Sequence, residues 1–191
     1  MAAFKRVQLF GGAIVADLPA NFANVSDIRQ VPDHQEVYLD RDGLTSIIFD
    51  ILEQVDVGTD TDALQYHLKD IVGEDAEQTK IWTSNAAVFS ELPPQTPAYT
   101  LFATQQASAE RITQGRAPDF TGILLLLIRL NGKKTDLVIT INVPHAPGEY
   151  APEDVDLATG KLGRLLEAAV QYRDRLLQTF EVKDWSLFGQ E

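Results

Sequence analysis

Residues 121–130 read TGILLLLIRL, the turn NGKKT follows, and residues 136–143 read DLVITINV. The first segment is a near-continuous apolar run of strand length, which is typical of a central strand covered on both faces. Gly132 and Lys133 turn the chain, so residues 136–143 are predicted to return as the antiparallel partner of the first strand. This hairpin predicts a sheet with other layers packed on both of its sides.

Shorter strands are predicted on either side of this hairpin in the sequence. They are residues 7–10, 13–16, 35–39, 46–52 and 99–105. Gly11-Gly12 and Asp42-Gly43 supply turns, so the first four strands form two further hairpins. Residues 18–25 are predicted to be irregular, and residues 74–97 give only short apolar pieces.

Two segments show helical spacing of their apolar residues. Residues 61–72 are predicted as a helix that Asp60 or Thr61 caps. Residues 154–180 carry the longest helical pattern, but a glycine in a helix interior costs about 1 kcal/mol. The regular helix is therefore expected to begin near Gly160 and Gly163. Together these elements predict an α/β (α+β) fold, with a central antiparallel sheet of about six strands flanked by helices, in one domain over residues 1–191.

Composition excludes several classes of function. The chain has 191 residues, a formal net charge of -12 and no cysteine. Such a charge argues against direct nucleic-acid binding and against anionic membrane surfaces. Without cysteine there are no disulfides, no thiolate catalysis and no cysteine-ligated zinc. Residues 1–12 lack the apolar run of a signal peptide and the composition of a transit peptide, so we expect neither.

Motifs for catalysis and cofactor binding are missing as well. Gly11-Gly12 does not belong to a phosphate-binding glycine motif, and no GxSxG nucleophile motif occurs. The three histidines lie far apart, and His67 falls on the apolar stripe of its predicted helix, which indicates a core or edge histidine rather than a metal ligand. We therefore expect no catalytic residues, no cofactor and no metal.

The segment between Asp27 and Asp62 is strongly acidic. It holds ten acidic residues against two arginines, so it contributes -8 of the formal charge of -12. A dense acidic surface beside a folded core is more typical of a docking site for a basic protein than of a catalytic centre.

Asp50 stands out in this segment because it interrupts the apolar run IIFDIL at residues 47–52. A carboxylate on such a strand needs a partner or an open rim. It either pairs internally, with Arg29 as a candidate, or is displayed at a site. Glu53 would face the opposite side of an ideal strand, so the two share a surface only if the strand ends or bulges near Leu52.

Several sequence blocks resemble the Ran guanine nucleotide release factors, the Mog family of nuclear transport. The blocks occur in order between about residue 7 and residue 188, and the GGAI opening together with VPDHQEV is specific. They are LFGGAI at 9–14, SDIRQVPDHQEV at 26–37, SIIFDILEQV at 46–55, ITINVP at 139–144 and SLFG at 186–189.

The resemblance implies an α/β fold with a central antiparallel sheet, shared with the photosystem PsbP proteins. It also implies binding to the small GTPase Ran, non-catalytic stimulation of nucleotide release from Ran, and a role in nuclear protein import in nucleus and cytoplasm. The family's acidic surface corresponds here to Asp27, Asp33, Glu36, Asp50 and Glu53, with Arg29, Gln30 and Gln35 beside them. Asp50 and Glu53 are expected to be the most sensitive positions.

Other functions stay open at this point. They are an adaptor that binds Ran without changing nucleotide release, a PsbP-like extrinsic photosystem subunit, and an enzyme or small-ligand carrier. A transit peptide should precede the photosystem subunit, and the enzyme has no visible nucleophile. The sequence also leaves open the preference for the GTP or GDP form and a further Ran-binding protein as partner. We expect a monomer.

Overall fold

The computed structural model describes residues 2–115 and 117–189, and for Asp27 it describes the backbone alone. The strands are β1 (Phe4–Leu9), β2 (Ile14–Pro19), β3 (Phe22–Asn24), β4 (Gln35–Asp40), β5 (Ser46–Glu53), β6 (Thr79–Ala86), β7 (Ala98–Gln105), β8 (Phe120–Leu130), β9 (Thr135–His145) and β10 (Glu181–Val182). The α-helices are α1 (Asp60–Val72), α2 (Ala109–Thr113) and α3 (Gly163–Thr179).

The strands form two antiparallel sheets. Seven strands make the larger sheet in the order β3-β4-β5-β9-β8-β7-β6, and three make the smaller sheet in the order β1-β2-β10. The β8–β9 hairpin lies at the centre of the larger sheet, with register pairs from Phe120 opposite His145 to Leu130 opposite Thr135. The prediction of a central antiparallel sheet built on this hairpin is confirmed.

Both faces of the larger sheet are covered, as the apolar run of β8 predicts. Ile123, Leu125 and Leu127 pack in one cluster with Leu64 and Leu68 of α1. The alternate residues of β8 pack on the other side with α3 and the small sheet. Because neighbouring strand residues point to opposite sides, every residue of the sheet belongs either to the α1 face or to the α3 face.

The small sheet joins segments that are far apart in the chain. β10 pairs with β2, placing Glu181 opposite Val15. The Thr179 hydroxyl at the end of α3 accepts a hydrogen bond from the Asp17 amide at 3.0 Å across a separation of 162 residues. Arg175 of α3 adds an ion pair to the Asp17 carboxylate at 2.7 Å.

The sequence prediction missed three strands, β3 and β6 of the larger sheet and β10 of the smaller one, and the larger sheet has seven strands rather than about six. Residues 18–25 are not irregular, because β2 extends to Pro19 and β3 follows it. β6 lies at the exposed edge of the larger sheet, where most side chains of TKIWTSNA are solvent-exposed and no apolar alternation marks the strand. β3 and β10 have only three and two residues, too few for a periodicity.

The long helices agree with the predictions except at one cap. α1 is capped by Thr59, not by Asp60 or Thr61, since the Thr59 hydroxyl accepts from the Asp62 amide and the Asp62 carboxylate accepts from the Thr59 amide. α3 begins at Gly163, as expected from the cost of glycine in a helix interior.

Gly163 is expected to be difficult to replace, because its φ is +77° and a Cβ there would meet Cγ2 of Val155 at 2.8 Å. Gly160 has a similar φ of +81° with open space around it. Alanine in the left-handed region costs about 1–2 kcal/mol, so both substitutions should destabilise the protein. Gly163→Ala should lower the free energy of unfolding in urea by more than Gly160→Ala. Equal losses in the free energy of unfolding would show that the Val155 side chain moves away from the new Cβ without cost.

Candidate functional site

Asp50 lies on the α1 face of β5, opposite Gln35 of β4. The Gln35 side-chain amide donates to Asp50 Oδ1 at 2.8 Å, so the structure pairs Asp50 with Gln35 and not with Arg29. Burial raises the pKa of Asp50, although the Gln35 hydrogen bond acts against the rise. The result is a half-buried carboxylate held in place by a neutral partner.

Glu36 points to the opposite face of the sheet from Asp50, since it pairs with Phe49 of the α3 face. One carboxylate oxygen accepts from the Phe10 amide at 2.9 Å, and the other accepts from the Asn24 side chain at 3.2 Å. Phe10 belongs to the glycine turn between β1 and β2. Glu36 therefore ties that turn to β4, and the GGAI and QEV blocks of the sequence meet here.

Three more predicted site residues lie in the segment that leads into β4. Arg29, Gln30 and Asp33 are exposed. The backbone of Asp27 lies in the short 3-10 turn before them, and its side chain falls outside the part of the chain that the structure describes.

Glu53 is exposed at the end of β5. The pairing of β5 with β9 runs without a shift to Glu53 opposite Thr135, so no bulge turns Glu53 to the side of Asp50. The two carboxylates point to opposite faces of the sheet. They nevertheless lie near the same end of the sheet, because Asp50 is the last residue of β5 that pairs with β4 and the strand ends at Glu53.

We call residues 29–35 together with Asp50 and Glu53 the acidic end of the sheet. Within the described residues, neither Asp33, Asp50 nor Glu53 forms an ion pair with a cationic side chain. These negative charges are thus available to a partner, whereas Glu36 is engaged inside the protein.

A buried charge network on the α1 face was not predicted. Asp136 of β9 is fully buried and accepts from Nε2 of His67 at 2.8 Å and from Nε of Arg129 at 3.0 Å. Arg129 also donates to Asp60 Oδ1 at 3.0 Å and to the Val55 carbonyl at 2.6 Å. The network fastens the β5–α1 connection, which follows Glu53, to the central hairpin. The prediction of His67 as a core histidine is confirmed.

The electrostatics of Asp136 reflect these contacts. Burial alone would raise the pKa of the Asp136 carboxyl, but hydrogen bonds from His67, the Val55 amide and Arg129 outweigh it and lower the pKa. The sequence carried a signal for this pair, because Arg129 and Asp136 are charged residues inside two apolar strands and lie opposite each other in the register of the hairpin.

The described residues contain neither a metal-binding cluster nor a membrane-spanning helix. No group of three or more acidic or histidine side chains among the described residues is arranged to hold a metal ion. Nor does any described helix have the length and apolar character needed to cross a membrane.

Comparison with known proteins identifies the family. The model of the Ran-interacting Mog1 proteins matches residues 7–144. The "Nuclear import protein MOG1" of Saccharomyces cerevisiae is 33% identical over 97% of this chain and 85% of its own. The "Ran guanine nucleotide release factor" of Homo sapiens is 31% identical over 95% of both chains.

Solved structures show the same fold. The crystal structure of the Saccharomyces cerevisiae Ran-binding protein Mog1p has a TM-score of 0.76 at 30% identity and covers 99% of this chain and 100% of its own. A cyanobacterial PsbP from Synechocystis has a TM-score of 0.57 at 15% identity over 95% and 94% of the two chains, which is a likeness of fold alone. By its sequence over residues 7–144 and by its relatives along nearly its whole length, this chain belongs to the family of Ran-interacting Mog1 proteins.

Proposed function

We propose that this protein binds the small GTPase Ran through the acidic end of the sheet and promotes release of its guanine nucleotide, in support of nuclear protein import. Relatives named for Ran binding, for nucleotide release and for nuclear import support the proposal. The same names favour a regulator over a catalyst. We infer further that the protein acts as a single domain, in the nucleus and the cytoplasm.

One observation carries the choice of surface. Asp50 is held half-buried by Gln35, its pKa is raised by burial, and it forms no ion pair with a lysine, arginine or histidine of the described residues. A protein tolerates such a carboxylate at some cost in stability, and a cationic partner would remove that cost. The neighbouring charges of Asp33 and Glu53 favour a basic partner further through charge complementarity.

The geometry favours a partner that covers the end of the sheet rather than one of its faces. Asp50 and Glu53 leave opposite faces, so a flat contact on the α1 face would reach only Asp50. A partner that caps the end reaches both, together with the exposed segment of Arg29, Gln30 and Asp33. In this arrangement Glu36 and Gln35 position the surface from within, Glu36 by anchoring the glycine turn and Gln35 by orienting Asp50.

Nucleotide release would follow from differential binding. If the protein binds nucleotide-free Ran more tightly than loaded Ran, it lowers the affinity of Ran for nucleotide by the same factor. This requires no nucleophile, cofactor or metal on the chain. The carboxylates of the acidic end could compete with phosphate for a cationic group of Ran.

The experiment is the rate of loss of labelled GDP and GTP from Ran, with and without the protein, at low and moderate salt. We expect acceleration that weakens as salt screens the acidic end. Binding without acceleration would support the second candidate, an adaptor that binds Ran without changing release. If Ran does not bind at all, the proposal is wrong.

A further inference from the structure

An exposed tryptophan and a cleft beside it lie on the α3 face, at the same end of the sheet as Glu53. The register places Glu53 of β5, Thr135 of β9 and Leu130 of β8 in one row across the sheet. Neighbouring strands are about 4.8 Å apart, so the backbones of Glu53 and Leu130 are roughly 10 Å from each other. Leu130 and Trp185 both border a cleft of about 310 Å³. A partner that contacts Glu53 from the α3 face therefore meets this cleft next.

Hydrogen bonds join the end of β5 to the wall of the cleft. Gln54, which follows Glu53, donates its side-chain amide to Oδ1 of Asn131 at 2.8 Å. The Gln54 backbone amide donates to the Lys134 carbonyl at 2.9 Å. Asn131 begins the short 3-10 turn of the central hairpin and also borders the cleft. Glu53 and the cleft are thus held in a fixed relative position.

Packing of the core does not account for the position of Trp185. This residue is 37% exposed, and among the described residues it is not one of those that pack against the hydrophobic core, whereas Leu187 and Phe188 are. Its ring meets the Phe188 ring edge-on at 5.8 Å. Its indole N–H donates to no group in the described part of the chain. Trp185 therefore presents a large apolar surface and an unused donor, which is typical of a residue at the centre of a protein interface.

The turn that carries Trp185 is firmly held. The Asp184 carboxylate accepts from the Ser186 amide at 3.0 Å and from the Ser186 hydroxyl at 2.6 Å. The Asp184 amide donates to the Ala13 carbonyl at 3.1 Å, beside the glycine turn that Glu36 anchors to β4. A side chain that is already positioned loses less conformational freedom on binding, which favours affinity.

The charges around the cleft disfavour a basic group as its occupant. None of the described side chains that border it is acidic. Two are cationic: Arg129 is engaged in the buried network, and the Lys133 ammonium lies 3.4 Å from the Gly189 carbonyl. The apolar part of the wall comes from Pro93, Pro97, Leu130 and Trp185. The cleft therefore suits an apolar side chain, whereas the acidic end suits a basic one.

We propose that Trp185 is the apolar anchor of the Ran contact, and that an apolar side chain of Ran enters the cleft beside it. This inference rests on the proposed function and gives the Ran interface an apolar half on the α3 face, next to its acidic half. A partner that caps the end of the sheet and reaches Glu53 covers the α3 face where the cleft opens. Glu53 and Trp185 then bind adjoining parts of Ran, the first a basic group and the second an apolar one.

Calorimetric titration of variants with Ran tests the anchor. Trp185→Ala should weaken binding at least about 30-fold, the usual effect of truncating a central aromatic residue of an interface. Trp185→Phe should retain most of the affinity, because it keeps an aromatic ring in the cleft. Trp82→Ala is the matched control, since Trp82 lies on the edge strand β6, four strands from β5. It should change the affinity less than about twofold.

Salt distinguishes the apolar half of the interface from the acidic half. The loss of affinity in Trp185→Ala should be the same at low and moderate salt. The loss in Glu53→Gln should shrink as salt screens the charge that the substitution removes. Urea unfolding of Trp185→Ala should resemble that of the wild type, because the Trp185 side chain lies outside the core.

A second measurement requires no variant. The chain has two tryptophans, so NMR of the ¹⁵N-labelled wild type with unlabelled Ran follows two indole N–H signals. The Trp185 signal should shift. The Trp82 signal should stay in place, since Nε1 of Trp82 donates to the Thr104 hydroxyl at 2.9 Å, far from the proposed contact.

The outcomes separate this inference from the proposed function. If Ran binds while the Trp185 signal stays in place and Trp185→Ala binds like the wild type, the anchor is overturned and the acidic end keeps its role. A shifted signal with unchanged affinity would place Trp185 at the rim of the contact and also overturn its role as an anchor. If Ran does not bind the wild type at all, the proposed function and this inference both fail.

Discussion

Replacing Arg129 by Met is expected to lower the free energy of unfolding by about 3–5 kcal/mol, the usual cost of removing one partner from a buried charge pair. The substitution leaves the fully buried Asp136 without its arginine partner and removes the hydrogen bonds that Arg129 donates to Asp60 and to the Val55 carbonyl. Urea unfolding at neutral pH measures the loss. Arg173→Met is the matched control, since the one ion-pair partner of Arg173 among the described residues is its solvent-accessible neighbour Asp174, and this substitution should cost less than about 1 kcal/mol.

The pH dependence of this loss identifies its cause. The pKa of Asp136 is lowered in the folded protein, so its contribution to stability is present above its ordinary value of 3.8 and is lost as the pH falls below that value through the folded pKa. In Arg129→Met, protonation of Asp136 removes an uncompensated buried charge and therefore raises the free energy of unfolding. The difference between the wild type and Arg129→Met should therefore shrink with acidification. A difference that stays constant would assign the loss to packing of the Arg129 stem.

Asp50→Asn is expected to weaken Ran binding by about 2 kcal/mol, or roughly 30-fold, because it removes the half-buried charge. Asparagine keeps the oxygen that accepts from Gln35, so the substitution isolates the charge from the local geometry. Calorimetric titration with Ran gives the affinity. Glu167→Gln, an exposed acid on α3, changes the net charge equally and should leave the affinity nearly unchanged.

Urea unfolding of Asp50→Asn shows whether weaker Ran binding comes from the lost charge or from a less stable protein. Since the pKa of Asp50 is raised in the folded state, the folded protein holds the proton more firmly than the unfolded chain does. Its stability therefore declines as pH rises above 3.8 through the raised pKa, and Asn removes this decline. Asp50→Asn should unfold at the same or a higher urea concentration than the wild type at neutral pH. Normal Ran binding by this variant would remove Asp50 from the interface.

The sequence predicted the fold where local pattern and burial coincide. The apolar β8 and its partner β9 indicated a central hairpin, and the cost of glycine placed the start of α3. The edge strand β6 could not be predicted in the same way. It is a strand because it pairs with β7, and most of its own side chains are exposed, so they show no apolar alternation. Tertiary contact, rather than propensity, defines such a strand.

The register between β4 and β5 gives Glu36 and Asp50 different roles. In the sequence Glu36 and Asp50 look equivalent, as two carboxylates in neighbouring strands. The pairing of Glu36 with Phe49 and of Gln35 with Asp50 sends them to opposite faces, one to anchor the glycine turn and the other to the acidic end. A one-residue difference in register would exchange these roles, and no periodicity within either strand fixes it.

The small sheet also has a consequence for the growing chain on the ribosome. β2 is made early, but the residues that cover it belong to α3 (Gly163–Thr179) and β10 (Glu181–Val182), which are made only near the end of synthesis. Until then the buried side chains Ile14, Ala16 and Leu18 lack their native neighbours and remain accessible to chaperones. A nascent chain that stops before Gly163 would expose this strand permanently. We therefore expect chaperones to recognise incomplete chains through their exposed N-terminal hairpin.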